Sequence, residues 1–338
     1  MDVPAHAVVT GGAGFLGSWL CERLLAEGAR VVCVDSLVTG STANIAHLRE
    51  KPGFRFVEAD VSQGLPLGDA VDGPVDAVFH LASPASPIHY QRLALETLRA
   101  GSHATGHALD LAARHGARFV LASSSEVYGD PEEHPQRESY RGRVDPVGPR
   151  SMYDEAKRFA EALTVAHRAE HGTRTGIARI FNTYGPRMAM DDGRLVPTLM
   201  VQALTGEPLT VAGDGNQTRS LCWVGDLVDG LLRLAGSDEP GPVNLGSDDE
   251  RSVREIAEVI LQVTGSSSPV RQVPRPPQDP LVRQPALDLA RDRLGWSPTT
   301  PLRAGLEQTA AWFAGQLGVE DGPAPGSPSD PLQASVGA

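Results

Sequence analysis

Through its first 180 residues the chain alternates short runs of strand-forming residues with stretches of helical composition. The strand-like runs are AHAVVTG, ARVVCVD, FRFVEAD, DAVFHLA, ARFVLASS and TGIARIFN. Segments such as GSWLCERLLAEG and TGHALDLAARHG lie between them and have helical composition. Because parallel strands need a crossover between them, this alternation predicts an α/β fold with a doubly wound parallel sheet.

The pattern changes after Asn182. Five helical stretches follow with irregular links, and SSSPVRQVPRPPQDPLVRQP is so rich in proline that we expect mostly extended loop there. We therefore predict a first domain over residues 1–182 and a smaller mixed C-terminal substrate domain over 183–318 that is interleaved with it. Residues 319–338 are rich in Gly, Pro and Ser, which predicts a disordered tail.

Bulk composition narrows the function classes. The formal net charge of −12 argues against nucleic acid as a partner. No run approaches the ~20 apolar residues of a membrane helix, and no signal peptide precedes the first strand, so we expect a cytoplasmic protein with no membrane partner. The cysteines Cys21, Cys33 and Cys222 have no paired spacing, which predicts buried thiols and no metal site.

The first strand runs into TGGAGFLG, where Gly11, Gly14 and Gly17 stand three residues apart. Glycines let the backbone turn tightly and approach a pyrophosphate, and the following helix N-terminus carries partial positive charge. Asp35 ends the second strand, eighteen residues after Gly17. Such an acid binds both ribose hydroxyls and repels a 2′-phosphate, so the sequence predicts a Rossmann-type domain that binds NAD.

Further residues are expected to complete the NAD site. Asp60 and Val61 follow the third strand and are candidates to flank the adenine, although Asp60 is also a plausible turn carboxylate. The other predicted cofactor-binding residues are Phe15, Leu16, Thr39, Leu81 and Ser83.

SMYDEAKRFAEAL places Tyr153 and Lys157 four residues apart, on one face of a helix. A phenol with a solution pKa of ~10 is a poor base at neutral pH. A nearby ammonium and a positive nicotinamide favour the phenolate, which could then accept a hydroxyl proton while hydride leaves the same carbon. The pair predicts a dehydrogenation step.

The motifs TGGAGFLGS, HLAS, SSSEVYGDP, Tyr153-x-x-x-Lys157 and RIFNTYGPR resemble the extended short-chain dehydrogenase/reductase family, over about residues 6–316. Within that family the chain is most similar to the UDP-glucuronate decarboxylases. Five longer stretches carry this narrower resemblance: HLASPASPIHY, LASSSEVYGDPEEHPQ, GPRSMYDEAKR, ARIFNTYGPRMAMDDGR and GDGNQTRS.

The resemblance makes the residues after the fifth strand decisive. The family's 4,6-dehydratases typically carry an Asp-Glu pair there, and the aspartate protonates the departing hydroxyl. Here Ser125 takes the aspartate position and only Glu126 remains, which weighs against dehydration. Simple 4-epimerases usually have no carboxylate at this place, so Glu126 also weighs against epimerisation.

Decarboxylation needs no acid for a leaving group. Oxidation of C4 in a glucuronate gives a β-keto acid, and loss of CO2 leaves an enolate that must be stabilised, protonated at C5 and reduced again. We predict that Ser124, where relatives usually have threonine, and Tyr153 bind the enolate oxygen. The resemblance places Arg283 in DPLVRQP near the sugar carboxylate and opposite Glu126, which holds Arg283 or relays a proton.

The predicted partner is thus a nucleotide sugar, UDP-glucuronate. Arg219 and Arg194 are candidates for the diphosphate and nucleotide because the guanidinium fork donates two bonds at once. Asn182 and Arg99 are further substrate-binding candidates. The resemblance also implies a homodimer, joined through a four-helix interface made by ETLRAGSHATGHALDLAARHG and the Tyr153 helix.

Two alternatives remain open at this point. One is a nucleotide-sugar 4-epimerase or 4,6-dehydratase, and the other is an NAD-binding sensor protein without turnover. Departures from relatives, such as Ala212 beside the expected nucleobase pocket, leave the choice between uracil and thymine open.

Overall fold

A computed structural model of the protein describes residues 3–275 and 281–319. Its strands, in chain order from β1 to β13, are His6–Thr10, Arg30–Asp35, Phe54–Glu58, Ala77–His80, Arg118–Ser124, Thr175–Ile180, Thr183–Tyr184, Leu209–Ala212, Thr218–Ser220, Cys222–Trp223, Val243–Leu245, Glu250–Ser252 and Val270–Val273. The six strands predicted for the first 182 residues are confirmed as β1 to β6.

Seven strands form one parallel sheet in the order β11-β6-β5-β4-β1-β2-β3. The strand order reverses between β1 and β4, which is the place where open α/β sheets bind ligands. The doubly wound Rossmann-type sheet predicted from the sequence is therefore confirmed. Its seventh strand, β11, was not predicted, because three residues after the Gly241-Pro242 turn are too few to show a period.

The helices, from α1 to α10, are Phe15–Ala26, Pro87–Arg92, Ala94–Arg99, Thr105–His115, Ser151–His171, Leu195–Thr205, Val224–Ala235, Val253–Thr264, Asp288–Leu294 and Leu302–Leu317. A π-helical turn, Ala100–Ala104, joins α3 to α4. All five helices predicted after Asn182 are present as α6 to α10.

The sheet is buried on both faces. Successive side chains of a strand point to opposite sides, and on β1 Ala7 and Val9 enter one core cluster while Val8 enters another. The first cluster includes Leu20 of α1 and Leu231 of α7. Such two-sided burial explains why the strands are nearly continuous apolar runs.

A third apolar core belongs to the part of the chain after residue 182. It joins α6, α8 and α10 and includes Val224, at the start of α7. Strand β13 pairs in parallel with β8. Most of the described residues of the proline-rich segment are irregular, as predicted, and the exception is Val270–Val273, where a partner strand far away in sequence supplies the hydrogen bonds.

The proposed boundary at residue 182 stays a prediction. The chain beyond it returns to the first sheet through β11 and packs α7 against that sheet. Apart from Val319, the predicted tail 319–338 lies outside the described residues. The three cysteines are buried free thiols, as predicted. Within 3–275 and 281–319, no helix has the length and apolar character needed to cross a bilayer.

Candidate active site

One large cavity lies along the carboxyl edge of the sheet, where the strand order reverses. Its volume is about 1850 Å³, well above the roughly 300–1,000 Å³ of ordinary small-molecule sites. Every residue that the sequence assigned to catalysis, cofactor or substrate lines this cavity. The volume suits two extended ligands, a dinucleotide and a second nucleotide.

The glycine loop forms one wall, and its glycines are sterically required. Gly11 has φ +72°, and a Cβ on it would lie 2.7 Å from the backbone of Leu81 and Ala82. A Cβ on Gly17 would lie 2.1 Å from the carbonyl oxygen of Gly11. Gly14 is the N-cap of α1, so the loop opens directly onto a helix N-terminus. This bare backbone fits the pyrophosphate of a dinucleotide.

Asp35 ends β2 at the far side of the loop. Its carboxylate accepts hydrogen bonds from the backbone amides of Ala13, at 3.0 Å, and Leu37, at 2.8 Å. Burial raises the pKa of Asp35 and outweighs the lowering by these amides. Asp60 accepts a bond from the amide of Ser62, at 2.9 Å, so it does cap a turn, and it also lines the cavity.

Tyr153 and Lys157 lie on the buried face of α5. The Lys157 Nζ donates to the carbonyl oxygen of Ala122 at 2.8 Å and lies 5.7 Å from the centre of the Tyr153 ring. Burial lowers the pKa of Lys157 to about 8. Burial also raises the pKa of Tyr153 to about 12, although a hydrogen bond with Ser124 acts in the opposite direction. The phenolate therefore needs further positive charge near it.

Tyr90 is a site residue that the sequence analysis missed. Its ring stacks on that of Tyr153, with centroids 5.0 Å apart and planes 13° from parallel. Its hydroxyl is buried and has no hydrogen-bond partner among the described residues. In the sequence, Tyr90 was noticeable only as part of the HLASPASPIHY stretch. An uncharged aromatic residue there does not indicate that its ring stacks on Tyr153.

Glu126 lies at the centre of a charged cluster that lines the same cavity. Its Oε2 accepts from the Arg283 Nη2 at 3.1 Å, and the Arg283 Nη1 donates to the Ser125 carbonyl oxygen at 2.7 Å. The Arg150 Nη2 lies 2.5 Å from the same Oε2. Burial alone would raise the pKa of Glu126, but Arg283, Arg150 and Arg219 together lower it below its usual value.

The structure brings Arg283 and Glu126 together as expected, but it adds Arg150, which the sequence analysis did not single out. Arg150 is the N-cap of α5, and its carbonyl oxygen accepts from the amides of Tyr153, at 3.0 Å, and Asp154, at 3.2 Å. Its position three residues before the tyrosine, in GPRSMY, was the available signal. One helical turn separates these two residues, so both reach the same cavity.

The segment that carries Arg283 is fixed behind Glu126 by a buried asparagine. Asn244 accepts from the Tyr128 hydroxyl at 2.7 Å and donates to the carbonyl oxygens of Gln136, at 3.0 Å, and Ala286, at 3.2 Å. Its three bonds thus join β11 to the loop after Glu126 and to the chain after Arg283. The network explains how residues more than 150 positions apart stay within hydrogen-bond distance.

The other substrate candidates lie along the same cavity. Arg194 is the N-cap of α6 and donates through Nε to Asp192 at 2.7 Å. Arg219 lies on β9, Asn182 follows β6 and is half-buried, and Arg99 is an exposed residue at the end of α3. All four line the cavity.

The sheet, the glycine loop, the acid after β2 and the Tyr-Lys pair together define a Rossmann-type NAD-dependent oxidoreductase site. Comparison with known proteins agrees with this class. The model of the NAD dependent epimerase/dehydratase family matches residues 7–246, and the chain belongs to that family. NAD is accordingly its cofactor, and the resemblance to extended short-chain dehydrogenases is confirmed.

Named relatives are more specific. UDP-glucuronic acid decarboxylase 1 of Arabidopsis thaliana is 45% identical over 93% of this chain and 71% of its own length. UDP-glucuronic acid decarboxylase 1 of Danio rerio is 44% identical over 92% of this chain and 73% of its own length. The structure of UDP-glucuronic acid 4-epimerase from Bacillus cereus, in complex with UDP-glucuronic acid and NAD, is 27% identical, with a TM-score of 0.79 over 92% of this chain and 99% of that one.

Proposed function

We propose that this chain is a UDP-glucuronate decarboxylase that converts UDP-glucuronate to UDP-xylose. One observation carries the proposal: Glu126 is paired with buried Arg283, and a serine stands at position 125. The site therefore has a cation for a sugar carboxylate, and the position next to Glu126 holds no acid for a leaving hydroxide. Asp154, whose pKa is raised by burial and by the Glu126 charge, does not line the cavity. The decarboxylases that resemble this chain over about nine-tenths of its length support the same reaction.

Bound NAD supplies the hydride acceptor for oxidation at C4 and the hydride donor for the closing reduction. Tyr153 accepts the C4 hydroxyl proton, and Lys157 stabilises the phenolate by its charge. When the C5–C6 bond breaks, its electron pair moves into the C4 carbonyl, and CO2 leaves. The hydroxyls of Ser124 and Tyr153 then bind the enolate oxygen, which is the atom where negative charge develops.

Arg283 orients the sugar carboxylate before it leaves. Its pairing with Glu126 keeps its buried guanidinium compensated in the meantime, because an unpaired buried charge is costly. After CO2 departs, C5 takes a proton from a water molecule that the Glu126 carboxylate binds, and solvent replaces that proton. We place the diphosphate and the nucleoside near Arg194, Arg219 and Asn182, with Arg99 at the edge of the site.

We further propose a homodimer joined through the α3–α4 helices and α5. The large exposed apolar side chains Leu95, Leu98, Phe159 and Val165 lie on α3 and α5, which contact each other. A matching patch on a second copy would cover them. The domain boundary at residue 182 and the cytoplasmic location stay predictions.

Mass spectrometry of nucleotide sugars tests the reaction directly. Purified protein with NAD and UDP-glucuronate should give a product that has lost the mass of CO2, with no net NADH. Accumulating NADH and a 4-keto pentose would mean that the reduction fails. An unchanged mass with a new retention time would instead support a 4-epimerase, the activity named for the Bacillus cereus neighbour. Binding without any conversion would support a sensor.

A further inference from the structure

Two guanidinium groups converge on one oxygen of Glu126, and they differ in how far they are exposed to solvent. The Arg283 side chain is only 3% exposed, and its second terminal nitrogen is bound to the Ser125 carbonyl oxygen. The Arg150 side chain is 20% exposed and reaches Glu126 from the N-cap of α5. The Arg283 guanidinium is therefore buried in the lining of the cavity, and the Arg150 guanidinium is the more accessible of the two.

The backbone fixes where Arg150 can act. Because its carbonyl oxygen binds the amide of Tyr153, the guanidinium starts one helical turn from the phenol that works at C4 of the sugar. The C6 carboxylate of a uronate is bonded to C5, the next ring carbon. A cation that reaches Glu126 from this place also reaches the region of C6.

We propose that Arg150 is a second carboxylate-binding residue, which turns from Glu126 to the C6 carboxylate of the uronate when substrate enters. The inference rests on the proposed function and adds a specificity-determining residue to it. Glu126 stays paired during this exchange because Arg283 remains on the same oxygen. A hexose with a neutral C6 hydroxymethyl group has no anion to exchange, so Arg150 would stay on Glu126.

The test is the binding of two ligands that differ only in the carboxylate. Calorimetry on the NAD-loaded protein gives the Kd of UDP-glucuronate and of UDP-xylose for Tyr153→Phe alone and combined with Arg150→Gln or Arg150→Lys, because Tyr153→Phe keeps UDP-glucuronate from being converted during the titration. We expect Arg150→Gln to weaken UDP-glucuronate by roughly tenfold or more, the value of a charge-assisted bond, and to change UDP-xylose by less than about twofold. Arg150→Lys should recover part of the loss, because it keeps the charge and loses the planar fork.

Arg92→Gln is the matched control, because Arg92 is exposed, ends α2 and does not line the cavity. It removes the same charge and should leave both Kd values unchanged. Equal weakening of both ligands by Arg150→Gln, with the melting temperature retained, would overturn the inference and leave a structural role. No weakening of either ligand would overturn it as well.

Failure of the proposed function has a different signature. Wild type that prefers UDP-glucuronate through Arg150 but releases no CO2 would keep the inference and refute the decarboxylase. If wild type releases CO2 but Arg150→Gln still binds UDP-glucuronate with full affinity, the decarboxylase is supported and the Arg150 inference is refuted.

Discussion

Two regions of the cavity, the cofactor end around the glycine loop and the sugar end around Glu126, are built in different ways. The part of the cofactor end that fits the pyrophosphate and the ribose is mostly backbone: a glycine loop, a helix N-terminus and one acid, all within residues 11–35. The sugar end is mostly charged side chains, and Glu126, Arg150, Arg219 and Arg283 come from four separate segments. The cofactor end is therefore easy to recognise in a sequence and tolerates few substitutions. The sugar end is hard to recognise, and its side chains can be substituted without rebuilding the backbone.

The largest effect should come from the sugar end, at the reacting proton. Tyr153→Phe removes the group that accepts the C4 hydroxyl proton and should lower kcat by ~10²–10⁴. The NAD content should stay unchanged because the ring and its stack on Tyr90 remain. Rates of CO2 release and NAD absorbance of the purified protein check both points.

Tyr140→Phe is the control for this variant, since Tyr140 does not line the cavity and its hydroxyl accepts from the amide of Glu132, at 3.0 Å. Its kcat should equal that of wild type. A Tyr153→Phe protein with comparable kcat would place the base elsewhere.

At the cofactor end, Gly17→Ala should impair the binding of NAD while leaving the catalytic side chains unchanged. The new Cβ would press on the Gly11 carbonyl, so the loop must open, and we expect loss of NAD together with ~1–3 kcal/mol of unfolding free energy. Urea unfolding and the NAD content of the purified protein measure the two effects.

Gly315→Ala is the matched helical control, because no atom of the described residues outside its own helical turn lies within 4 Å of the added Cβ. It should be neutral or stabilising by up to ~1 kcal/mol. If Gly17→Ala behaved the same way, close backbone packing would not be what the loop requires.

Between the two ends lies Lys157, whose pKa falls from 10.5 to about 8 on burial. Between these pH values the unfolded chain binds more protons than the folded one, so stability rises with pH in this window. Relative to Lys157→Met, wild type should gain up to ~3 kcal/mol from pH 8 to 10.5, at ~1.4 kcal/mol per pH unit. Urea unfolding of both proteins across this range gives the difference, and a flat difference would contradict a buried, destabilised ammonium.

The smallest effect should come from Ser124→Thr. The hydroxyl that bonds Tyr153 is kept, and the extended backbone at this position, with φ −145° and ψ 152°, suits a β-branched residue. We expect kcat within roughly threefold of wild type, a change below ~0.7 kcal/mol. A much larger loss would show that the extra methyl group crowds the sugar.

The same contrast explains what the sequence could and could not predict. The six strands can be predicted from short apolar runs, and the glycine loop can be predicted because its positions have no room for a side chain. The seventh strand, the β8–β13 pair and the Arg150–Glu126 contact depend on partners far away in sequence, and a single chain read in order shows no such pairing. Arg283 was predicted through family resemblance, since an arginine in a proline-rich loop has no local signal of its own.

Because Asn244 lies late in the sequence, the contacts that it makes can form only after most of the sheet has been synthesised. The glycine loop and Asp35 are synthesised within the first 35 positions, but the Tyr128 hydroxyl gains its Asn244 acceptor only when β11 is made, 116 residues after Tyr128. The sugar end must therefore mature late, and a nascent chain shorter than about residue 245 should lack it. Arrested chains of increasing length, probed by proteolysis of the 125–136 loop, should gain protection once β11 has emerged and again once Gln284 pairs with Gln136.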